Sequence, residues 1–487
     1  MRYLIILITL LLLSCSLDKQ PSDGLEFALI YDADGNTAYE VYRGTATAKH
    51  ILISESYMDI PITHIGIGGF RAHTTMTKIT LPHNLKFIDT ESFSGCTVII
   101  KLNIPKNLDV IGTYAFEGCN RLSGITIPRN VNYLGTGAFS GCTNLRSVTF
   151  EPYGQILYIL AHTFEDCVNL NNIIIPDAVN HVGANAFANT GIWNNTPENS
   201  VVYADKWVVG YKGDLTGELV LREDTIGISV EAFAYQQALT NIVLPEGLRY
   251  INDNAFNGCT SLTDISIPSS VVIVGNQAFH NTGMWRDTPN NNVVYADNWA
   301  VGVKGEIKGI LHLQDNTVGI GMFAFLSQYE MISVNLPSGI RYINEFAFAE
   351  NSSLSSVFIP KTVEQVGDYV FDNCYYLTIY TDAVGDADDW HGHSPVVWDV
   401  LSKAPRELFV SVGDHEIKLR WIPPDIENLE IIQGYRVFFN DNAVTDIIQE
   451  LEFTDYIQPG QPKYHVTAVF INGSESASES LTLINTF

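Results

Sequence analysis

Basic residues are scarce in this chain. Lys and Arg number 27 against 54 Asp and Glu, a formal charge of -27 over 487 residues. Such an excess of carboxylates repels phosphate backbones and anionic headgroups, which excludes nucleic acid and a direct membrane surface as partners. Long hydrophobic runs are also missing. The N-terminal run from Tyr3 to Leu13 is interrupted only by Thr9, and about ten apolar residues cannot cross a hydrocarbon layer of ~30 Å. Catalytic signatures are absent: no GxSxG, HExxH, P-loop or dinucleotide fingerprint occurs. No CxxC pair favours zinc or dithiol chemistry. The sequence therefore predicts no enzyme, no catalytic residue, no cofactor and no metal.

What is present is a period. Phenylalanine recurs at 70, 93, 116, 139, 164, 187, 233, 256, 279, 325, 348 and 371, with gaps of 23 except one of 25 and two of 46. A fixed period in the twenties marks a stack of short supersecondary units, in which most repeated residues fill a shared core. Each copy opens on an alternating strand that ends at Pro, as in Ile125-Thr126-Ile127-Pro128 and Ile265-Ser266-Ile267-Pro268. Proline stops the strand because it has no N–H to donate. A second extended piece follows, as in Val110-Ile111-Gly112, and then a tight turn around the Phe. Two residues after the Phe stand Gly95, Gly118, Gly141, Asp166, Asn189, Gly258, Asn281 and Asn373, the types that tolerate a left-handed backbone.

Six of the seven cysteines (Cys96, Cys119, Cys142, Cys167, Cys259 and Cys374) lie three residues after a repeat Phe, where other copies carry Thr, Gln or Asn. That exchange predicts a ladder of small polar groups bonding to neighbouring backbone, with a disulfide between stacked coils as the competing reading. A larger duplication overlies the period: NTGIWNNTPENSVVYADKWVVGYKGDLTGELVL from Asn189 returns 92 residues later from Asn281. Each copy predicts an inserted β-hairpin, at about 190–220 and 282–312, in which the rings of Trp193, Trp207, Trp285 and Trp299 pack against the coils. The competing reading makes Trp193 and Trp285 exposed ligand contacts.

The L-x-x-I-x-IP, V-x-x-IG-x-x-AF-x-x-C pattern resembles the BspA-like leucine-rich repeat family of bacterial surface proteins. The resemblance spans 65–377 and implies a mainly β, curved solenoid of ~23-residue coils with short helical turns, acting in adhesion or ligand capture. Residues 24–64 are expected to form a hairpin cap and 378–403 a terminal cap and linker. From 404 to 487 longer strands resemble a fibronectin type III β-sandwich, with Trp421 and Tyr435 in its core and Tyr464 opening the penultimate strand. Arg2, the apolar run and Leu12-Leu13-Ser14-Cys15 resemble a bacterial lipoprotein signal, 1–15, followed by a tether, 16–23. That implies lipidation at Cys15, membrane attachment through this lipid alone, and an outer-membrane, cell-surface location. Ordinary secretion is the competing reading.

Function is then expected on the outward strand positions Thr80, Asn103, Thr126, Thr149, Ile174, Val243, Ser266, Asn335 and Phe358. The expected partner is a host or matrix protein or another cell surface, with glycan capture through exposed aromatics as the alternative and an enzyme carrying a fibronectin-type spacer as a third reading. A cluster of His391 and His393 near Asp386, Asp388 and Asp389 is read as a solvated loop rather than a metal site.

Overall fold

The structure, a computed structural model, describes residues 21–31, 35–381, 396–398, 405–412, 416–424, 432–456, 463–470 and 475–482. Cys15 and the 386–393 cluster lie outside the described residues. The chain divides into two compact units, Met1–Phe256 and Asn257–Phe487.

The first unit opens on an antiparallel pair, Glu26–Tyr31 with Thr37–Tyr42. The second of these strands then pairs in parallel with Ile60–Ile65, which starts a ladder through Phe87–Ile88, Val110–Ile111 and Tyr133–Leu134. Coiling therefore begins before the first repeat Phe. The strands that precede proline form a separate set. Gly124–Ile127 lies parallel to Ser147–Phe150, with Ile125 beside Val148 and Thr126 beside Thr149. Period-two alternation buries Ile125, Ile127 and Val148 and turns Thr126 and Thr149 outward.

The repeat rings make the core. Phe70, Phe93, Phe116, Phe139, Phe164 and Phe187 are buried and stack in sequence at 5.3 to 5.8 Å between centroids. Around each ring the backbone alternates between two kinds of hydrogen bond. Tyr114, Phe116 and Gly118 donate their N–H groups to Thr136, Ala138 and Ser140 of the next coil, each at 2.8 Å. Ala115, Glu117 and Cys119 donate instead to the residue three places back. That alternation requires left-handed residues two places after the Phe, and the residues predicted for this role all have positive φ. It also requires them two places before. Gly68, Glu91, Tyr114, Gly137, His162 and Asn185 hold φ between 53° and 61° there, a conformation that costs L-residues roughly 1–2 kcal/mol. Coil-to-coil bonding outweighs that cost.

The cysteines behave as the ladder reading predicts. The thiols of Cys96, Cys119, Cys142 and Cys167 donate to the carbonyls of Phe70, Phe93, Phe116 and Phe139 at 3.1 to 3.3 Å, and all are buried and unpaired with one another. Burial pushes the Cys96 and Cys167 thiols up to about 12. They are poor nucleophiles at any ordinary pH.

The insert of this unit begins with one helical turn, Gly191–Asn195, capped by the Thr190 side chain. A bulged hairpin, Ser200–Ala204 with Trp207–Lys212, follows. The Trp207 ring is buried and stacks on Tyr250 at 5.8 Å. Because the hairpin takes the place of a coil, the backbone of His181–Val182 needs other partners. Val182 N–H donates to Asn252 Oδ1 at 2.9 Å, while Asn252 Nδ2 donates to the Asn180 carbonyl at 3.2 Å. Asp205, in the hairpin turn, accepts from Ile175 N–H at 3.1 Å. Two side chains thus stitch the insert to the stack.

The second unit repeats this arrangement. Asn344 accepts from Val274 N–H and Asp297 from Ile267 N–H, each at 2.9 Å, and Trp299 stacks on Tyr342 at 5.9 Å. Ile265-Ser266-Ile267 keeps its alternating burial but joins no ladder among the described residues. Phe325, Phe348 and Phe371 form a ring stack of this unit's own, with the Cys374 thiol and the Asn351 amide donating to the Phe348 and Phe325 carbonyls.

The unit ends in two sheets. Arg406–Val412, Glu416–Ile422 and Glu452–Tyr456 form one, and Ile432–Phe439, Asn442–Ala443, Lys463–Phe470 and Glu479–Thr482 form the other. Their shared core contains Leu419, Trp421, Tyr435, Val437 and Tyr464, with the Trp421 ring edge-on to Tyr435 at 5.6 Å.

Candidate functional site

Proline fixes where each pre-proline strand stops, and alternation fixes which side chains leave the core. In the first unit these rules place Asn103, Thr126 and Thr149 outward on successive coils. All three are exposed and line one groove of ≈ 420 Å³ together with Lys101, Ser147 and Glu151. Glu151 is anchored by accepting from Arg129 N–H at 3.2 Å. Thr80 lies on the neighbouring ladder, half-exposed, with its hydroxyl 3.0 Å from His50 Nε2.

Beside this groove lies a larger one of ≈ 730 Å³. It is lined by Ser147, Thr149, Phe150, Glu151, Tyr153, Asn172, Ile174, Pro176 and Asp177, among others, and shares Ser147, Thr149 and Glu151 with the first. The coil from Phe139 to Phe164 makes it possible. That coil is two residues longer than the others, and the extra length projects Glu151 to Gly154 beyond the strand face. Among the described residues no ladder joins Ser147–Phe150 to the strand segment of the next coil, 172–175. Tyr153 stands at the tip, 97% exposed, with φ of 60°. Ile174 is 79% exposed. Sequence reading placed Ile174 outward but missed Tyr153, whose one available signal was the 25-residue gap in a 23-residue period.

The other candidates fall elsewhere. Val243 is exposed in the first unit. Ser266 is exposed in the second, and Asn335 is half-buried with its amide 3.0 Å from His312 Nδ1. Phe358 is a correction. It was expected to point outward to ligand, yet it is 1% exposed and stacks on Phe470 of the terminal sheets at 5.7 Å. Alternation does turn the ring away from the coil core, but the sandwich covers it. Trp193 and Trp285 are half-buried. Each lies against a glycine: a Cβ on Gly210 would come within 2.6 Å of Trp193, and one on Gly302 within 2.8 Å of Trp285. These rings pack against the hairpins and keep part of their surface exposed.

One acidic pair stands on the first unit. Burial, followed by the charge of Glu40, pushes the Asp89 carboxyl up to about 6. Burial and a hydrogen bond to Glu40 push the Tyr42 phenol up to about 12. No group of three or more metal-ligating side chains occurs among the described residues.

Leucine-rich repeat proteins are among the solved structures that match this chain. A leucine-rich repeat protein from Bacteroides ovatus is 19% identical, covers 78% of this chain and 100% of its own, and superposes with a TM-score of 0.29. The pneumococcal vaccine antigen PcpA is 17% identical over 78% of this chain and 98% of its own, with a TM-score of 0.34. A leucine rich cell surface protein from Faecalibacterium prausnitzii is 20% identical over the same shares, with a TM-score of 0.29. No curated protein matches this chain. The model of the BspA type leucine rich repeat region matches in 6 copies over residues 63–194, 225–302 and 306–382. Those matched stretches make up more than half of the sequence, and the chain belongs to the BspA type leucine-rich repeat family.

Proposed function

We propose that this protein is a non-enzymatic, lipid-anchored surface protein that captures an external macromolecule on the outward strand face of its first unit. The observation that carries this reading is the convergence of Asn103, Thr126, Thr149 and Ile174 on two adjoining grooves. Repeat arrays present aligned, shallow positions of this kind, and variation there changes binding without disturbing the core. Anchoring rests on Leu12-Leu13-Ser14-Cys15 and the apolar run before it. An acyl chain stabilises membrane attachment by about 0.8 kcal/mol per buried CH₂, which holds an acidic chain at a surface it would otherwise leave. The terminal sandwich, read as a fibronectin type III module, serves as a structural neighbour of the last coils rather than as the binding site.

The test is saturable binding of purified protein to plates coated with extracellular-matrix extract and to intact host cells. Thr126→Glu combined with Thr149→Glu is expected to abolish binding with circular dichroism unchanged, because both positions are exposed. Binding at the wild-type level by that variant overturns the assignment of the face. Cys15→Ala is expected to end fatty-acid labelling and release the protein from membranes.

A further inference from the structure

The larger groove, lined by Tyr153 and Ile174, has features that the capture reading alone does not explain. Tyr153 is a bulky residue held in a left-handed conformation after Pro152, in the turn at the tip of the longer coil, a conformation uncommon for such a side chain. It does not sit at either of the two positions around a repeat Phe where stacking demands that conformation. Its ring is almost wholly in water, although an aromatic of this size gains most by burial. The volume of ≈ 730 Å³ beneath it lies within the ~300–1,000 Å³ range of small-ligand sites.

The lining combines a flat apolar ring with short hydrogen-bonding groups, namely Ser147, Thr149 and Asn172, and with the carboxylates of Glu151 and Asp177. The Glu151 carboxylate is fixed by the Arg129 amide rather than by a cation. Asp177 is met by Lys206 only at 3.6 Å on an exposed side. An anionic ligand would face two carboxylates here. A neutral ring with one C–H face and a rim of hydroxyls meets both halves of the lining: the face covers Tyr153 while the hydroxyls donate to carboxylates and exchange bonds with Ser, Thr and Asn.

We propose that the groove beneath Tyr153 is a subsite for a neutral saccharide, with one sugar ring stacked on the phenol and its hydroxyls held by Ser147, Thr149, Asn172 and Glu151. The proposal rests on the capture reading and names the chemistry of what is captured. It also accounts for the longer coil, since two added residues lift the ring clear of the strand face.

Saturation-transfer NMR with cellohexaose, mannohexaose, N-acetylchitohexaose and sialyllactose tests it directly on the full chain. At least one neutral hexasaccharide is expected to bind and sialyllactose is not. Tyr153→Ala and Tyr153→Gly are expected to weaken that binding about tenfold, the scale of one aromatic contact, and Tyr153→Trp to retain it. Glycine suits the left-handed backbone, so Tyr153→Gly is expected to melt no lower than the wild type, which separates lost binding from lost folding. Absence of binding by all three neutral sugars overturns the proposal, as does unchanged sugar binding by Tyr153→Ala. In parallel, matrix extract treated with periodate is expected to lose its binding capacity. Capacity that survives periodate but not protease identifies an extended peptide as the occupant, sinking the saccharide subsite and leaving the capture reading intact. Failure of untreated extract to bind at all counts against the capture reading alone.

Discussion

Two outward strand faces built on one repeat have opposite fates. On the first unit Thr126 and Thr149 look into open grooves. On the second, the strand Ser356–Ile359 is buried at all four positions, with Phe358 under Phe470. The period is the same and so is the direction of each side chain. What differs is the residue presented, a short hydroxyl in one case and a large apolar ring in the other, and whether a neighbouring module covers it. Periodicity therefore specifies the scaffold and the direction of each outward side chain, while a covering module decides whether that side chain meets an open groove or a packed contact.

The comparison can be broken first at its shared core. Phe116→Ala in one unit and Phe348→Ala in the other are each expected to cost ~3–5 kcal/mol through the cavity left in a stack of rings. Denaturant titration measures this, and similar losses in both units confirm that the scaffolds are equivalent. Phe470→Ala sharpens the difference. It is expected to cost about 2–3 kcal/mol, less than a core ring because water can enter a gap at a module boundary, and to lower the melting of the second unit while ligand binding at Thr126 is unaffected. A loss of binding would place the functional face under the sandwich instead.

Asn252→Ala is expected to cost ~1–3 kcal/mol, since it strands the buried N–H of Val182. Hydrogen exchange at Val182 is the measurement, and Asn344→Ala should act alike at Val274. The smallest effect concerns Asp89. Its folded carboxyl titrates near 6, above the unfolded value, so the folded state binds the extra proton and stability falls as pH rises through that window. Asp89→Asn is expected to stabilise by about 1 kcal/mol at pH 7.5, after allowance for solvent screening, and by nothing near pH 4. Equal melting shifts at both pH values would remove the carboxylate from the account.

Much of this was legible in the residues. The Phe period gave the ring stack, and the exchange of Cys with Thr, Gln and Asn pointed to the thiol ladder onto Phe carbonyls. Gly, Asn and Asp after each Phe marked the first left-handed site. The second, two residues earlier, was hidden because Glu91, Tyr114 and His162 carry no local preference for it. Hydrogen bonding to the next coil imposes that conformation from outside. Asn252 and Asn344 also escaped notice, although both stand four residues before a repeat Phe and 92 residues apart. Phe358 was misplaced because alternation tells which way a side chain points and nothing of what will sit on it. Tyr153 belongs to no period at all.

The bond from Val182 to Asn252 has a mechanical meaning. In a stack held by coil-to-coil hydrogen bonds, tension along the chain peels one coil at a time, each releasing roughly 80 Å at ~3.5 Å per residue. The asparagine bridge closes a loop of 70 residues. Until it breaks, none of that length is available to the pulling force, and when it breaks about 240 Å is released together. Pulled from its ends, a chain with this clasp would extend in small even steps and then lengthen abruptly, so that the load is absorbed unevenly along its length.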